Sequence, residues 1–139
     1  MTLVVVRDVN ILASGAAITG SLPAHLDDEG FKGRYTIVLS DRMVMKLAEV
    51  LTRPYFADKL DRLRREAIVG RTRVSSEVMT PDPSVSGITD DDEDDAVLGT
   101  AVAAGADYLV TGDTRRLKLR SYREVQIVTA REFLTLLES

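Results

Sequence analysis

Apolar residues fall along the chain in two recurring patterns, short unbroken runs and stretches with helical spacing. Residues 3–6 and 35–39 form unbroken runs with many β-branched side chains, as is typical of strands buried on both faces of a parallel sheet. Shorter runs at 108–111 and 126–128 are predicted to be two further strands. Because helical patterns lie between these runs, we expect a three-layer α/β/α sandwich with a mostly parallel central sheet.

Helical spacing and capping residues place helices between the strands. Ser40 is a suitable N-cap for one helix, and Thr129 with Glu132 matches a capping box for the last one. One predicted helix begins at Ile11. The others span 22–30, 41–52, 55–69 (with a further helical piece towards 79), 95–104 and 133–137. No linker or internal repeat divides these elements, so residues 1–139 are expected to form one domain.

The lack of cysteine and the presence of a single histidine, His25, restrict the possible chemistry. They exclude disulfides, thiolate metal sites, a cysteine nucleophile and histidine-rich zinc sites. Any metal site must therefore use oxygen ligands, which suit Mg²⁺ or Mn²⁺. No apolar run approaches the roughly 20 residues that span a membrane, and the first eight residues lack a signal-peptide pattern. We therefore expect a cytoplasmic protein with no membrane segment.

Charged residues are distributed unevenly, although the formal net charge is only -4. Residues 90–95 are all acidic, whereas residues 53–73 carry seven basic and three acidic side chains, and residues 115–123 carry five basic and no acidic ones. Basic segments around an acidic centre suit a polyanion such as RNA. The alternative for many of the basic side chains in 53–73 is that they form a solvated helix face and do not contact RNA. Within the second basic segment, the predicted RNA contacts are Arg115, Arg116 and Lys118.

Three aspartates stand at equivalent ends of predicted elements. Asp8 ends the first strand, Asp113 follows the strand at 108–111, and Asp95 opens the helix that leads into that strand. Open α/β sheets place their sites at the carboxyl ends of strands, so three carboxylates there can hold Mg²⁺ or Mn²⁺ for phosphodiester chemistry. The alternative for each aspartate alone is a helix cap or a solvated turn.

Three stretches carry a resemblance to a known family. Residues 4–12 contain a strand that ends in Asp-x-Asn, and residues 46–56 match Glu-Leu-x-x-Val-Leu-x-Arg-Pro-x-Phe except at Lys46. In the third stretch, residues 94–98 are Asp-Asp-Ala-Val-Leu and residues 104–113 are Ala-Gly-Ala-Asp-Tyr-Leu-Val-Thr-Gly-Asp. Nearly the whole chain thus resembles the PIN-domain family, particularly its toxin components of toxin–antitoxin systems, close to VapC toxins.

This resemblance implies a metal-dependent endoribonuclease that hydrolyses RNA phosphodiester bonds with a metal-activated water. It also implies a cognate antitoxin protein as partner and a homodimer. By position, Asp8, Asp95 and Asp113 match the acids that bind the metal and act in catalysis. Asn10 matches a polar residue beside the first acid, and Thr111 matches the hydroxyl residue of a Thr-x-Asp motif.

Two positions depart from the family pattern. Lys46 stands where the family has a glutamate, and Arg115 stands where an additional aspartate is common. Glu49 lies three residues on and is a candidate to replace this glutamate, and Asp94 or Glu49 are lesser candidates as metal ligands. A lysine brings positive charge towards a cation and should weaken its binding. The chain is then either a nuclease with altered metal dependence or a catalytically weakened PIN fold that acts by binding RNA or a partner.

A third class is a phosphatase or receiver-type α/β domain with a nucleophilic aspartate. The residues favour it less, because no Asp-x-Asp follows the first strand. No lysine follows a later strand tip in the way that such domains require.

Overall fold

The computed structural model describes residues 2–138, and its centre is a six-stranded sheet in the order β3-β2-β1-β4-β6-β5. The strands are β1 (Val4–Arg7), β2 (Thr36–Leu39), β3 (Glu77–Val78), β4 (Tyr108–Val110), β5 (Ser121–Tyr122) and β6 (Val125–Val128). Strand β5 pairs antiparallel with β6, and the other neighbours pair parallel. Strand β1 pairs with both β2 and β4, so the carboxyl ends of β1 and β4 lie side by side.

Helices cover both faces of the sheet, which confirms the predicted α/β/α architecture. They are α1 (Val9–Ala17), α2 (Leu22–Phe31), α3 (Asp41–Val50), α4 (Pro54–Ala57), α5 (Arg62–Val74), α6 (Asp92–Ala103), α7 (Thr114–Leu117) and α8 (Ala130–Glu138). None of those in residues 2–138 combines the length and apolarity needed to cross a bilayer.

The alternation of side chains along each strand produces two separate cores. Val6 of β1 packs in one core with Leu47 of α3 and Leu98 of α6. Its neighbour Val5 points the other way, into a core that contains Phe133 of α8. Further members of this second core are Leu26 of α2, Tyr35, Ile37 and Val110. The unbroken apolar runs predicted from the sequence are therefore strands buried on both faces.

Several predicted boundaries differ from the structure. The single helix expected over 55–69 is divided into α4 and α5, because Asp61 caps α5 by accepting a 2.8 Å hydrogen bond from the Arg64 N–H. Helix α5 continues to Val74, so the further helical piece expected towards residue 79 is present only in part, and Glu77–Val78 form the short strand β3. Strand β5 was not predicted. Helix α6 begins at Asp92, three residues before the predicted start.

Both capping predictions are confirmed. Ser40 Oγ accepts a hydrogen bond of 3.3 Å from the Met43 N–H at the start of α3. At the start of α8, Thr129 Oγ1 accepts from the Glu132 N–H and Glu132 Oε1 accepts from the Thr129 N–H, at 3.1 and 3.0 Å. These contacts fix where two helices begin at the carboxyl edge of the sheet.

The turn between β5 and β6 consists of two residues with left-handed backbone, Arg123 (φ 50) and Glu124 (φ 75). Such hairpin turns favour glycine, since a Cβ is strained there. We expect Glu124→Gly to raise the free energy of unfolding by about 1 kcal/mol, measured by urea denaturation. The control, Glu124→Ala, removes the same carboxylate but keeps the strained Cβ, and it should show no gain. Equal effects of glycine and alanine would contradict the strain argument.

Candidate functional site

An open pocket of about 230 Å³ lies at the carboxyl edge of the sheet, where Asp8 follows β1 and Asp113 follows β4. Its acidic lining residues are Asp8, Asp91, Glu93, Asp94 and Asp113, and its basic ones are Lys46, Arg53, Arg115 and Arg116. Five acids against four bases leave a formal charge of -1. Asn10 also lines the pocket. The pocket thus lies at the edge of the sheet where the sequence predicts a site.

Asp8 is held at the bottom of this pocket by β4 and the residues that follow it. Its backbone N–H donates to the Val110 carbonyl at 2.9 Å, and its side chain is buried. Thr111 Oγ1, fully buried, donates to Asp8 Oδ2 at 2.7 Å and accepts from the Asp113 N–H at 3.0 Å. The Thr-x-Asp motif therefore orients the carboxylate of Asp8 and links the ends of β1 and β4.

Arg116 occupies the space between two acidic side chains of the pocket. Its Nη1 lies 2.7 Å from Asp8 Oδ2, and its Nη2 donates to Asp94 Oδ1. Only 6% of the residue is exposed, and its guanidinium binds the chain's own carboxylates. The contact of Arg116 with RNA stays a prediction. Within the part of the chain that the structure describes, Nε and Nη1 of Arg116 are buried and form no hydrogen bond, although Nη1 lies within ion-pair distance of Asp8.

Asp94, and not Asp95, faces the pocket. The carboxylate of Asp95 accepts hydrogen bonds from the Gly87 N–H at 2.8 Å, the Thr89 N–H at 2.9 Å and Thr89 Oγ1 at 3.0 Å. Burial by itself would raise the pKa of Asp95, but these hydrogen bonds outweigh it and lower the pKa. The prediction that Asp95 joins Asp8 at a metal is therefore wrong in its geometry. Successive residues of α6 point about 100° apart, and Asp94 points to the pocket.

Asp113 caps α7 while it lines the pocket. Its Oδ1 accepts the Arg115 N–H at 2.8 Å, and its Oδ2 lies 3.4 Å from Arg115 Nη2. The backbone hydrogen bond from Arg115 is the main reason that the pKa of Asp113 lies below its usual value. In contrast, burial raises the pKa of Asp94, although Arg116 opposes the shift. Asp113 is therefore a helix cap, one of the alternatives to a metal ligand that the sequence leaves open, and it also lines the pocket.

Lys46 and Arg53 stand on the side of the pocket formed by the end of α3. Both pair with Glu49, at 3.6 Å from Lys46 Nζ and 3.0 Å from Arg53 Nη2. Glu49 does not line the pocket, so it does not replace the missing family acid. Lys118 is exposed and also lies outside the pocket lining.

The structure adds contacts that the sequence did not indicate. Glu93 lines the pocket and pairs with Arg42 at 3.1 Å. The insertion of Arg116 towards Asp8 depends on tertiary packing and has no local signal in the sequence.

The arrangement does not fit a divalent cation. Of the residues that the structure describes, no three His, Asp or Glu side chains are grouped so that they could hold a metal ion. Asp8 and Asp94 already bind a guanidinium, and Asp95 is turned away. The expected convergence of Asp8, Asp95 and Asp113 on one Mg²⁺ or Mn²⁺ is therefore not found.

Comparison with known proteins places the chain among its relatives. A chain from the crystal structure of VapBC2 from Rickettsia felis, bound to a DNA fragment from their promoter, has a TM-score of 0.63 at 12% identity, covering 90% of this chain and 97% of that one. PAE2754 from Pyrobaculum aerophilum has a TM-score of 0.61 at 17% identity, covering 99% and 98%. No curated protein matches the sequence significantly. A family model described as the PIN domain matches residues 4–115, and the chain therefore belongs to the PIN domain family.

Proposed function

We propose that this PIN domain binds RNA at the pocket and that, with Arg116 in place, it acts by binding and not by hydrolysis. The observation that carries the proposal is the guanidinium of Arg116 between Asp8 and Asp94. It supplies from the chain itself the positive charge that those carboxylates require. This is the catalytically weakened alternative that Lys46 suggests from the sequence.

The rim of the pocket supports RNA as the ligand. Lys46, Arg53 and Arg115 are partly or well exposed, and their ion pairs with Glu49 and Asp113 lie at the surface. Exposed ion pairs contribute little free energy, so these cations can exchange a carboxylate for a phosphate at small cost. A phosphodiester backbone can then cross the rim, above the acidic floor.

Binding of single-stranded RNA should depend steeply on salt. We expect Lys46→Gln, Arg53→Gln and Arg115→Gln each to weaken binding and to reduce the slope of log K against log salt by about 0.7. Fluorescence anisotropy with a labelled RNA, in EDTA, measures both quantities. Lys32→Gln is the matched control, because Lys32 is exposed and precedes β2 at the opposite edge of the sheet. Rim variants that bind like the control would contradict the proposal.

A second candidate is a metal-dependent endoribonuclease, the toxin of a toxin–antitoxin pair. It is favoured by one observation: Asp8, Asp94 and Asp113 line the same pocket beside Asn10. RNA cleavage that requires added Mn²⁺ or Mg²⁺ and is lost in both Asp8→Asn and Asp113→Asn would favour this candidate. Equal cleavage by wild type and both variants would indicate a contaminating nuclease.

We also propose a cognate antitoxin as protein partner. The supporting facts are the family and the likeness of the fold to a chain of the VapBC2 structure. Co-expression with the product of an adjacent reading frame, followed by size-exclusion chromatography, tests this proposal. The homodimer and the cytoplasmic location stay predictions.

A further inference from the structure

Tyr55 is a large aromatic side chain that stays at the surface just beyond the rim of the pocket. It is 57% exposed and lies two residues after Arg53, which lines the pocket. Its neighbour Phe56 is buried, in the core that also contains Leu60. The ring of Tyr55 thus lies outside the core, where a ligand that crosses the rim can reach it.

The backbone and a neighbouring ring hold Tyr55 in a fixed position relative to Arg53. Pro54 is the first residue of α4 and fixes its own φ. The Arg53 carbonyl accepts hydrogen bonds from the N–H groups of Phe56 and Ala57 at 3.0 and 2.8 Å. The rings of Tyr55 and Phe56 meet edge to face, with centroids 5.0 Å apart and an interplanar angle of 89°. A ring held in this way loses little conformational freedom when it binds a ligand.

Lys59 places a positive charge beside the ring of Tyr55. Its Nζ lies 4.3 Å from the ring centroid, within the range of a cation–π contact, and the side chain of Lys59 is exposed. More than half of Tyr55 stays exposed with Lys59 and Phe56 in contact, so much of its surface is open. Together with Arg53, the ammonium group gives two contacts for phosphate on either side of one aromatic ring.

An exposed ring between cations is the arrangement with which proteins hold single-stranded nucleic acid. An unpaired base of any identity stacks on the ring, while the neighbouring cations contact the backbone. A duplex keeps its bases stacked on one another and cannot offer one to the ring. Phe31 also has a cation over its ring, Arg71 at 4.1 Å, but it ends α2 and does not line the pocket. Nearness to the rim therefore distinguishes Tyr55 from Phe31.

We propose that Tyr55 is the stacking residue for an unpaired RNA base, next to phosphate contacts made by Arg53 and Lys59. The inference rests on the proposed binding of RNA at the pocket and extends the bound strand from the rim onto α4. The ring adds affinity through the base, whereas the cations add it through the phosphates. Because these contributions respond differently to salt, the stacking role and the proposed function can fail separately.

The first experiment measures the binding of a labelled single-stranded RNA by fluorescence anisotropy at several salt concentrations, for wild type, Tyr55→Phe, Tyr55→Ala and Phe31→Ala. We expect Tyr55→Ala to weaken binding at least about fivefold at every salt concentration and to leave the slope of log K against log salt unchanged. Tyr55→Phe keeps the ring and should bind like wild type, as should the matched control Phe31→Ala. Unchanged affinity in Tyr55→Ala, or a slope reduced by about 0.7 as for the loss of a phosphate contact, would overturn the stacking role.

The second experiment removes the bases from the ligand, so its main comparison does not depend on how a variant folds. Wild type is titrated with a uridine oligomer and with an abasic oligomer of the same length and charge. We expect wild type to bind the abasic oligomer at least about fivefold more weakly. Tyr55→Ala should lose clearly less, because its stacking partner is already absent.

The outcomes of this second experiment separate the stacking role from the proposed function. Equal binding of both oligomers by wild type would reject stacking and leave RNA binding at the rim intact. Equal losses in wild type and Tyr55→Ala would place the base contact elsewhere and also reject the role of Tyr55. Failure of wild type to bind either oligomer would reject the proposed function, and the stacking role with it.

Discussion

Replacing Asp8 by asparagine is expected to lower the free energy of unfolding by about 3 kcal/mol, measured by urea denaturation in EDTA. The carboxylate of Asp8 is buried, faces Arg116 and accepts from Thr111. Removal of one partner from a buried ion pair leaves the other charge insufficiently compensated. If Asp8 belonged instead to a cluster of metal-binding acids without its metal, Asp8→Asn would raise the free energy of unfolding, because the loss of one acid would relieve the repulsion between carboxylates.

The double variant Asp8→Asn/Arg116→Met separates these explanations. If the two side chains compensate each other, the second substitution should restore much of the lost free energy, and the two effects should be clearly non-additive. Asp113→Asn serves for comparison, since Asp113 is partly exposed and does not pair with Arg116. A gain in stability on Asp8→Asn would show that Arg116 does not neutralise Asp8 in solution.

Replacing Asp95 by alanine should have a comparable effect, a loss of about 3 kcal/mol in the free energy of unfolding. Asp95 is buried, and its three hydrogen bonds fix the loop at Gly87 and Thr89. Alanine leaves these donors without their charged acceptor. Asp92→Ala is the control: it lies on the same acidic run but is exposed, and we expect a change of at most about 0.5 kcal/mol.

The effect of Asp95 should also depend on pH. Because its pKa is lower in the folded protein than in the unfolded chain, the ionised carboxylate stabilises the fold above the unfolded pKa of about 3.9. This stabilisation is lost as the pH falls through the lower, folded pKa. The stability difference between wild type and Asp95→Ala should therefore be full at about pH 6 and shrink below about pH 4. A difference that grows on acidification would contradict this role.

The fold could be predicted because its signals are local. The apolar runs at β1, β2, β4 and β6 are short and β-branched, and the helices between them have recognisable caps. The division of 55–69 into two helices was missed because helical spacing continues across Asp61, while the cap that begins α5 is one side chain. Strands β3 and β5 have two residues each, too few to produce a periodic pattern.

The location of the pocket could be predicted from the sequence, but the residues that line it could be predicted only in part. Asp8 and Asp113 each follow a predicted strand, and the structure shows that these strands are adjacent and parallel, a pairing that the order of elements leaves open. The choice between Asp94 and Asp95 depends on how α6 packs against the sheet, because successive residues of a helix point about 100° apart. The contact of Arg116 with Asp8 joins residues 108 positions apart, so it depends on how α7 packs and has no local signal.

Arg116 is tethered to the pocket by the chain, so its effective concentration there is set by geometry and not by the surroundings. Dialysis, dilution and chelators remove a dissolved metal ion, but they leave a covalently linked guanidinium in place. The neutralisation of Asp8 and Asp94 by Arg116 therefore does not depend on the ions dissolved in the surrounding solution.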